Sequence, residues 1–152
     1  MKKLELRRHA RRDPSADRLT AEGRAQSEDV GRAARGTTYD AVFTSPAERA
    51  AETAAWFLRG AGQQLRDHAV VNGLAGKDAT AGSPEGMAEG VRALLEQTPD
   101  GGTALAFSHS PFVERAALGL TGREVEPMGE CEGILITLQD DGSIAVDELR
   151  LG

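Results

Sequence analysis

The run Asp40-Ala41-Val42-Phe43-Thr44-Ser45-Pro46-Ala47-Glu48-Arg49-Ala50-Ala51-Glu52-Thr53-Ala54 changes its period in the middle. Its first five residues read as a buried strand. Ser45-Pro46 then supplies a cap followed by a proline suited to a first helical turn. Beyond it, alanines at 47, 50, 51 and 54 recur at helical spacing, lead into Trp56-Phe57-Leu58 and stop at Gly60. A strand feeding directly into a helix is one βα unit.

The same alternation extends outward on both sides. Residues 3–8 alternate Leu4 and Leu6 with charge, as a short strand does. Residues 10–18 are polar, carry Pro14 and read as a loop. A helix over residues 20–35 follows, capped by Thr20, with Glu22 in its first turn and Gly36 at its end. Towards the C-terminus, residues 65–71 read as a third strand and 72–82 as a Gly-rich loop. Ser83-Pro84-Glu85 opens a helix with Met87, Val91, Leu94 and Leu95 on its apolar face. Residues 103–107 form a buried strand, and Ser110-Pro111 opens a helix lined by Val113, Ala116, Ala117 and Leu120. Residues 134–138, an Asp141-Gly142 turn and Ile144/Val146 close the chain as a hairpin. Four βα units and a final ββ pair predict a mostly parallel sheet of about six strands with helices on both faces, in one domain over residues 1–152.

The chain has 152 residues, enough to bury roughly 68–70% of its unfolded surface. With 18 Lys plus Arg against 24 Asp plus Glu, the net charge is −6, which disfavours general binding to nucleic acid or to anionic membranes. The single cysteine, Cys131, excludes an intramolecular disulfide and a multi-cysteine zinc site. A reducing cytoplasm is the default compartment. No apolar run approaches the ~20 residues of a membrane span, and residues 4–8 are no signal-peptide core. No metal-ligand spacing is present, and no cofactor is expected.

Three strand ends carry the chemistry: Arg8-His9, Ser45-Pro46 with Arg49 four residues on, and Ser108-His109-Ser110. In a parallel sheet they meet at one crevice, where α/β proteins bind ligands. The crevice would hold two imidazoles and two guanidiniums. A neutral imidazole is a competent nucleophile at neutral pH and can accept a phosphoryl group. Arginine forks match phosphate oxygens, and with a second imidazole they can hold the equatorial oxygens during in-line transfer. The two Ser-Pro helix starts add partial positive charge.

The joint pattern resembles the histidine phosphatase superfamily (phosphoglycerate-mutase-like), and within it the short SixA-type phosphohistidine phosphatases. Leu6-Arg7-Arg8-His9-Ala10-Arg11 is similar to the opening motif, with Ala where many members have Gly. Asp17-Arg18-Leu19-Thr20-Ala21-Glu22-Gly23-Arg24 resembles a SixA-type segment. Residues 43–54 resemble the second motif, and Phe107-Ser108-His109-Ser110-Pro111 the second-histidine motif, where Gly-His-Asn-Pro is commoner. The resemblance implies a three-layer α/β/α sandwich around a mixed sheet with one antiparallel strand. It implies His9 as the phosphorylated nucleophile, Arg8 and Arg49 as phosphoryl ligands, His109 completing the pocket, and no metal.

The proton donor for the leaving group is less legible. Asp78 in the Gly-rich loop, Glu85 at a helix start and Asp13 in the first loop are candidates, although the helix dipole alone explains Glu85. An alkoxide needs a proton to leave, whereas the imidazole of phosphohistidine can take one from solvent. Without a clear acid, and without long roofing insertions, the sequence favours phosphohistidine on another protein. A small sugar or nucleotide phosphate as substrate, or a phosphate-binding module without turnover, are the alternatives. Arg11 and Arg12 can line the pocket mouth, and the cations of residues 7–12 would focus anions there. His68 in the third strand reads as structural or exposed, Cys131 as an inert thiol, and Trp56 and Phe57 as packing their helix on the sheet.

Overall fold

The computed structural model describes residues 1–77 and 80–152. Six strands form one sheet in the order β3-β2-β4-β1-β5-β6. They are β1 (Lys2–Arg8), β2 (Ala41–Thr44), β3 (Ala69–Val70), β4 (Thr103–Ser108), β5 (Gly133–Leu138) and β6 (Ile144–Leu149). Strands β3, β2, β4 and β1 pair in parallel, and β5 runs against both β1 and β6. One strand is therefore antiparallel to the rest. Helices α1 (Ala21–Ala33) and α2 (Glu48–Gly60) cover one face, and α3 (Pro84–Glu96) and α4 (Phe112–Thr121) cover the other. The result is the three-layer α/β/α sandwich that the sequence suggested.

Alternation along β1 divides its side chains between two cores. Leu4 and Leu6 are fully buried with Val91, Leu95, Val113 and Ile134 on the α3/α4 side. Glu5 and Arg7 point the other way, and both are largely withdrawn from solvent. Arg7 Nη2 pairs with Glu5 Oε1 at 2.9 Å, and the Arg7 guanidinium sits 5.3 Å from the centre of the Phe57 ring on α2. Tyr39 donates its hydroxyl to Glu5 Oε2 at 2.6 Å. The charged face of β1 is thus a buried ion pair under the α2 layer, and Arg7 adds no cation to the strand-end crevice. Removing one partner of such a pair costs about 3–5 kcal/mol, because the other charge is left uncompensated.

The packing of α1 on α2 needs two glycines. A Cβ on Gly31 would lie 1.9 Å from the Phe57 carbonyl oxygen, and one on Gly60 would lie 1.9 Å from that of Glu28. Thr20 caps α1 by accepting from Gly23 N at 3.0 Å, and Ser83 caps α3 from Gly86 N at 3.0 Å, with Pro84 in the first turn. The other two Ser-Pro pairs do not act as the sequence suggested. Helix α2 starts from Ala47 and α4 from Pro111, neither of which has a side chain to cap its helix; Ser45 Oγ faces His109 and, of the amides at this end of α2, accepts only from Ala47 N, at 3.3 Å, and Ser110 is turned to Glu114.

The third strand is shorter than expected. Only Ala69 and Val70 pair with β2, and His68 lies before the strand. Leu65 still packs beside Tyr39 and Phe57, so residues 65–68 are a coil with one tucked side chain rather than part of the strand. The loop after β3 contains a short 3-10 helix, Asn72–Ala75. Phe57 packs on the sheet as expected, but Trp56 packs with Ala10, Leu19 and Cys131 instead. The closing hairpin turns at Gly142, whose φ is +88°. No helix among the described residues is long and apolar enough to cross a membrane.

Candidate active site

Register places the three strand ends side by side. Arg8 pairs with Ser108 and Thr44 with Phe107, so β1, β2 and β4 finish at one edge. Pairing continues one residue further: His9 N donates to Ser108 O, and Ser45 N to Phe107 O, each at 3.1 Å. The edge opens into a cleft of about 510 Å³ lined by Arg8, His9, Arg49 and His109, together with Asp17 and Lys77. Residues 101 positions apart in the chain thus share one wall.

His9 is buried, and its ring has a defined orientation. Nδ1 lies 2.7 Å from the Ala10 carbonyl oxygen, which can only accept, so Nδ1 carries the proton and Nε2 keeps its lone pair. Ala10 N in turn donates to Thr53 Oγ1, which donates to the Arg49 carbonyl. Thr53 therefore ties the His9 loop to the first turns of α2. The His109 ring lies 5.1 Å from that of His9, at 64°. Arg49 stands between them, with Nε 3.4 Å from His9 Nε2 and Nη2 3.3 Å from His109 Nδ1. Because a guanidinium only donates, His109 Nδ1 accepts, and Nε2–H faces Ser45 Oγ at 2.7 Å.

Both imidazoles are held neutral. Burial, then the charges of Arg49, Arg8 and Arg12, lowers the His9 pKa against the bond to Ala10 that raises it. Burial, then His9 and Arg49, brings His109 down to about 4. Arg8 is anchored by Nη1 on the Met128 carbonyl at 2.7 Å, and its Nε has no partner among the described residues. The cleft therefore joins an unprotonated imidazole nitrogen, His9 Nε2, to fixed cations, one of which, Arg49, donates to it, an arrangement suited to a phosphoryl group.

A family model for the histidine phosphatase superfamily (branch 1) matches residues 4–89. The chain belongs to the histidine phosphatase superfamily. It is a hydrolase of that superfamily. Solved structures share its fold over almost the whole chain. A mutant phosphoserine phosphatase of Entamoeba histolytica, in complex with phosphoserine, is 18% identical with a TM-score of 0.78, covering 98% of this chain and 97% of that one. The protein histidine phosphatase SixA, complexed with tungstate, is 22% identical with a TM-score of 0.74, covering 97% and 96%. A mycobacterial glucosyl-3-phosphoglycerate phosphatase complexed with VO3 is 15% identical with a TM-score of 0.72, covering 97% of each chain. No curated protein matches the chain.

Several further residues shape the cleft of this histidine phosphatase in roles that the sequence did not assign to them. Asp17, Ser45 and Thr53 orient Arg49, His109 and the His9 loop, and Lys77 adds a cation to the wall. Asp17 and Thr53 lie inside segments that resemble superfamily motifs, which was their only signal. Arg12 is exposed beside the cleft rather than in its wall, with Nε on the Asp13 carbonyl at 3.3 Å, and its charge still acts on both imidazoles. Arg11 pairs with Glu130 at 3.8 Å, away from the site. Of the acid candidates, Asp13 is held ionised at about 2 by hydrogen bonds from Ser15 and Arg18. Glu85 is exposed on the first turn of α3 and is not part of the cleft wall. Asp78 lies outside the described residues. Cys131 is fully buried, and burial pushes its thiol up to about 12. No group of three or more His, Cys, Asp or Glu that could hold a metal ion occurs among the described residues.

Proposed function

We propose that residues 1–152 act as one domain, a metal-independent phosphatase that works through a phosphohistidine on His9 and takes phosphohistidine on a protein as its substrate. The observation that carries this reading is the His9 geometry: Nδ1 is committed to Ala10, and Nε2 faces the cleft beside Arg49. The Nε2 lone pair attacks phosphorus, forming the P–Nε2 bond. The bond from phosphorus to the substrate imidazole breaks, and its electron pair stays on that nitrogen, which takes a proton from water. The Nδ1–H···Ala10 bond supports the positive charge that His9 carries once phosphorylated. Arg8, Arg49 and His109 surround the transferring oxygens. Water then attacks phosphorus, the P–Nε2 bond breaks, and inorganic phosphate leaves.

The proposed substrate class is supported by the state of the acid on the described wall of the cleft. Asp17 is the one carboxylate lining the cleft among the described residues, and it is bound to Arg49 and the start of α2. Burial alone would raise its pKa, but those hydrogen bonds hold it below the usual value. A carboxylate kept ionised protonates no leaving group, which favours a phosphoramidate over an alkyl ester. The test compares turnover of a phosphohistidine protein with a panel of small phosphomonoesters. Preference for phosphohistidine supports the reading, and preference for alkyl phosphates replaces it with a small-molecule phosphomonoesterase.

A further inference from the structure

We propose that Asp17, in the loop between β1 and α1, is a positioning residue for Arg49: its carboxylate caps α2 from outside the helix and turns one edge of the guanidinium towards the two imidazoles. This rests on the reading of Arg49 as a ligand of the transferring phosphoryl group.

Helix α2 begins without a cap of its own. Ala47 has the extended backbone of an N-cap residue, φ −68° and ψ 136°, but no side chain to accept the first amides. Asp17 supplies that acceptor from 30 residues earlier in the chain. Its Oδ2 accepts from Glu48 N at 2.9 Å and its Oδ1 from Arg49 N at 3.2 Å. The same Oδ1 takes Arg49 Nη1 at 2.8 Å. One carboxylate therefore holds both the backbone and the side-chain end of Arg49.

The geometry of the guanidinium gives this a chemical consequence. With Nη1 occupied, the opposite edge, Nε and Nη2, is the pair left to face His9 and His109, at 3.4 and 3.3 Å. That edge is the flat, two-donor fork that matches two phosphate oxygens. Free to rotate, Arg49 could present any of its donors, and a misplaced fork loses rate even where the charge remains. Asp17 also lines the cleft, with 41% of its side chain exposed against 20% for Arg49. A negative charge on the wall of an anion site opposes ground-state binding of phosphate. The carboxylate thus supplies orientation at some loss of affinity.

The experiment separates cap from positioning. In Asp17→Ala, both Tm and kcat on a phosphohistidine peptide are expected to fall, kcat on the order of 10- to 100-fold. Inhibition by inorganic phosphate is expected to stay equal or become tighter. Ala47→Ser then gives α2 a local cap, and Asp17→Ala/Ala47→Ser is compared with Ala47→Ser alone. Recovery of Tm without recovery of kcat supports the proposal. Recovery of kcat along with Tm overturns it, as does an unchanged kcat in Asp17→Ala. Asp17→Asn, of the same shape, gives a folded control that is expected to lose kcat as well. If the wild-type protein turns over no phosphoryl donor at all, the proposed function fails first, and the proposal for Asp17 falls with it.

Discussion

The two arginines of the cleft are held in opposite ways. On the strand side, Arg8 ends β1 and is fixed by a neutral partner, the Met128 carbonyl at 2.7 Å. On the helix side, Arg49 opens α2 and is fixed by a charged one, Asp17 at 2.8 Å. A carbonyl orients a guanidinium and leaves its full charge to the cleft. A carboxylate orients it and cancels part of that charge. On the function proposed here, the difference divides the work: Arg8 would mainly attract the phosphoryl group, and Arg49 would mainly set its geometry between the two imidazoles.

The largest effects expected are those of replacing either fork. Arg8→Lys and Arg49→Lys keep the charge and lose the bidentate edge, so each should lower kcat/KM on the order of 10²-fold or more. The division of work is sharpened by charge removal. Arg8→Gln should weaken phosphate inhibition more than Arg49→Gln, because the Arg49 charge is already offset. Equal weakening in the two would erase the proposed distinction. Near-normal turnover in both lysine variants, with the fold intact, would remove both arginines from the reacting centre.

The pH profile tests the neutrality that burial, with the nearby cations second, imposes on the two imidazoles. The pKa of His9 is lowered and that of His109 falls to about 4, so each imidazole stays neutral as the pH drops through 6.5. A nucleophile must be neutral, so kcat/KM should hold level through pH 6.5 and decline only below it, by about tenfold per unit at the steepest. The same shift has a sign for stability. A histidine whose folded pKa lies below its unfolded value stabilises the fold above pH 6.5, and that contribution is lost as the pH falls from 6.5 towards 4. His109→Gln should therefore flatten the decrease in Tm over that window. A profile already falling above pH 7, with no change in Tm, would contradict neutral imidazoles.

Smaller effects test the supports. Ser45→Ala removes the partner of His109 Nε2 and should slow turnover several-fold, in line with about 1 kcal/mol for one hydrogen bond. Smallest of all, Asp78→Asn and Glu85→Gln should leave phosphohistidine hydrolysis almost unchanged, with alkyl phosphates remaining poor substrates. Abolished alkyl phosphate turnover in either variant, in an enzyme that prefers such esters, would identify a working acid.

Much of this was legible in the chain. Period changes at residues 40–54 and their repeats gave the βα order, because a strand and a helix impose different spacings on the same apolar residues. Strand ends then brought out Arg8, His9, Arg49 and His109, since parallel strands finish at one edge. What stayed hidden depends on partners far along the chain. Arg7 and Arg8 are adjacent and chemically identical, yet one is buried against Glu5 and Phe57 and the other lines the cleft. Only the layer that covers the second face of β1 decides between them. Likewise Ser45 has the local signature of a cap, and His109, 64 residues away, takes its hydroxyl instead. Asp17 looked like one more charge in a polar loop until α2 was placed beside it.

Transfer to His9 is the most direct point of decision. The protein is mixed briefly with substrate labelled in its phosphoryl group, quenched without acid, and digested under alkaline conditions to locate the label. The expected result is label on a peptide containing His9, stable to alkali and lost in acid, unaffected by a chelator and absent from His9→Ala, which is also inactive. Full activity in His9→Ala, or activity abolished by a chelator and restored by added metal, would contradict a phosphohistidine mechanism at this site.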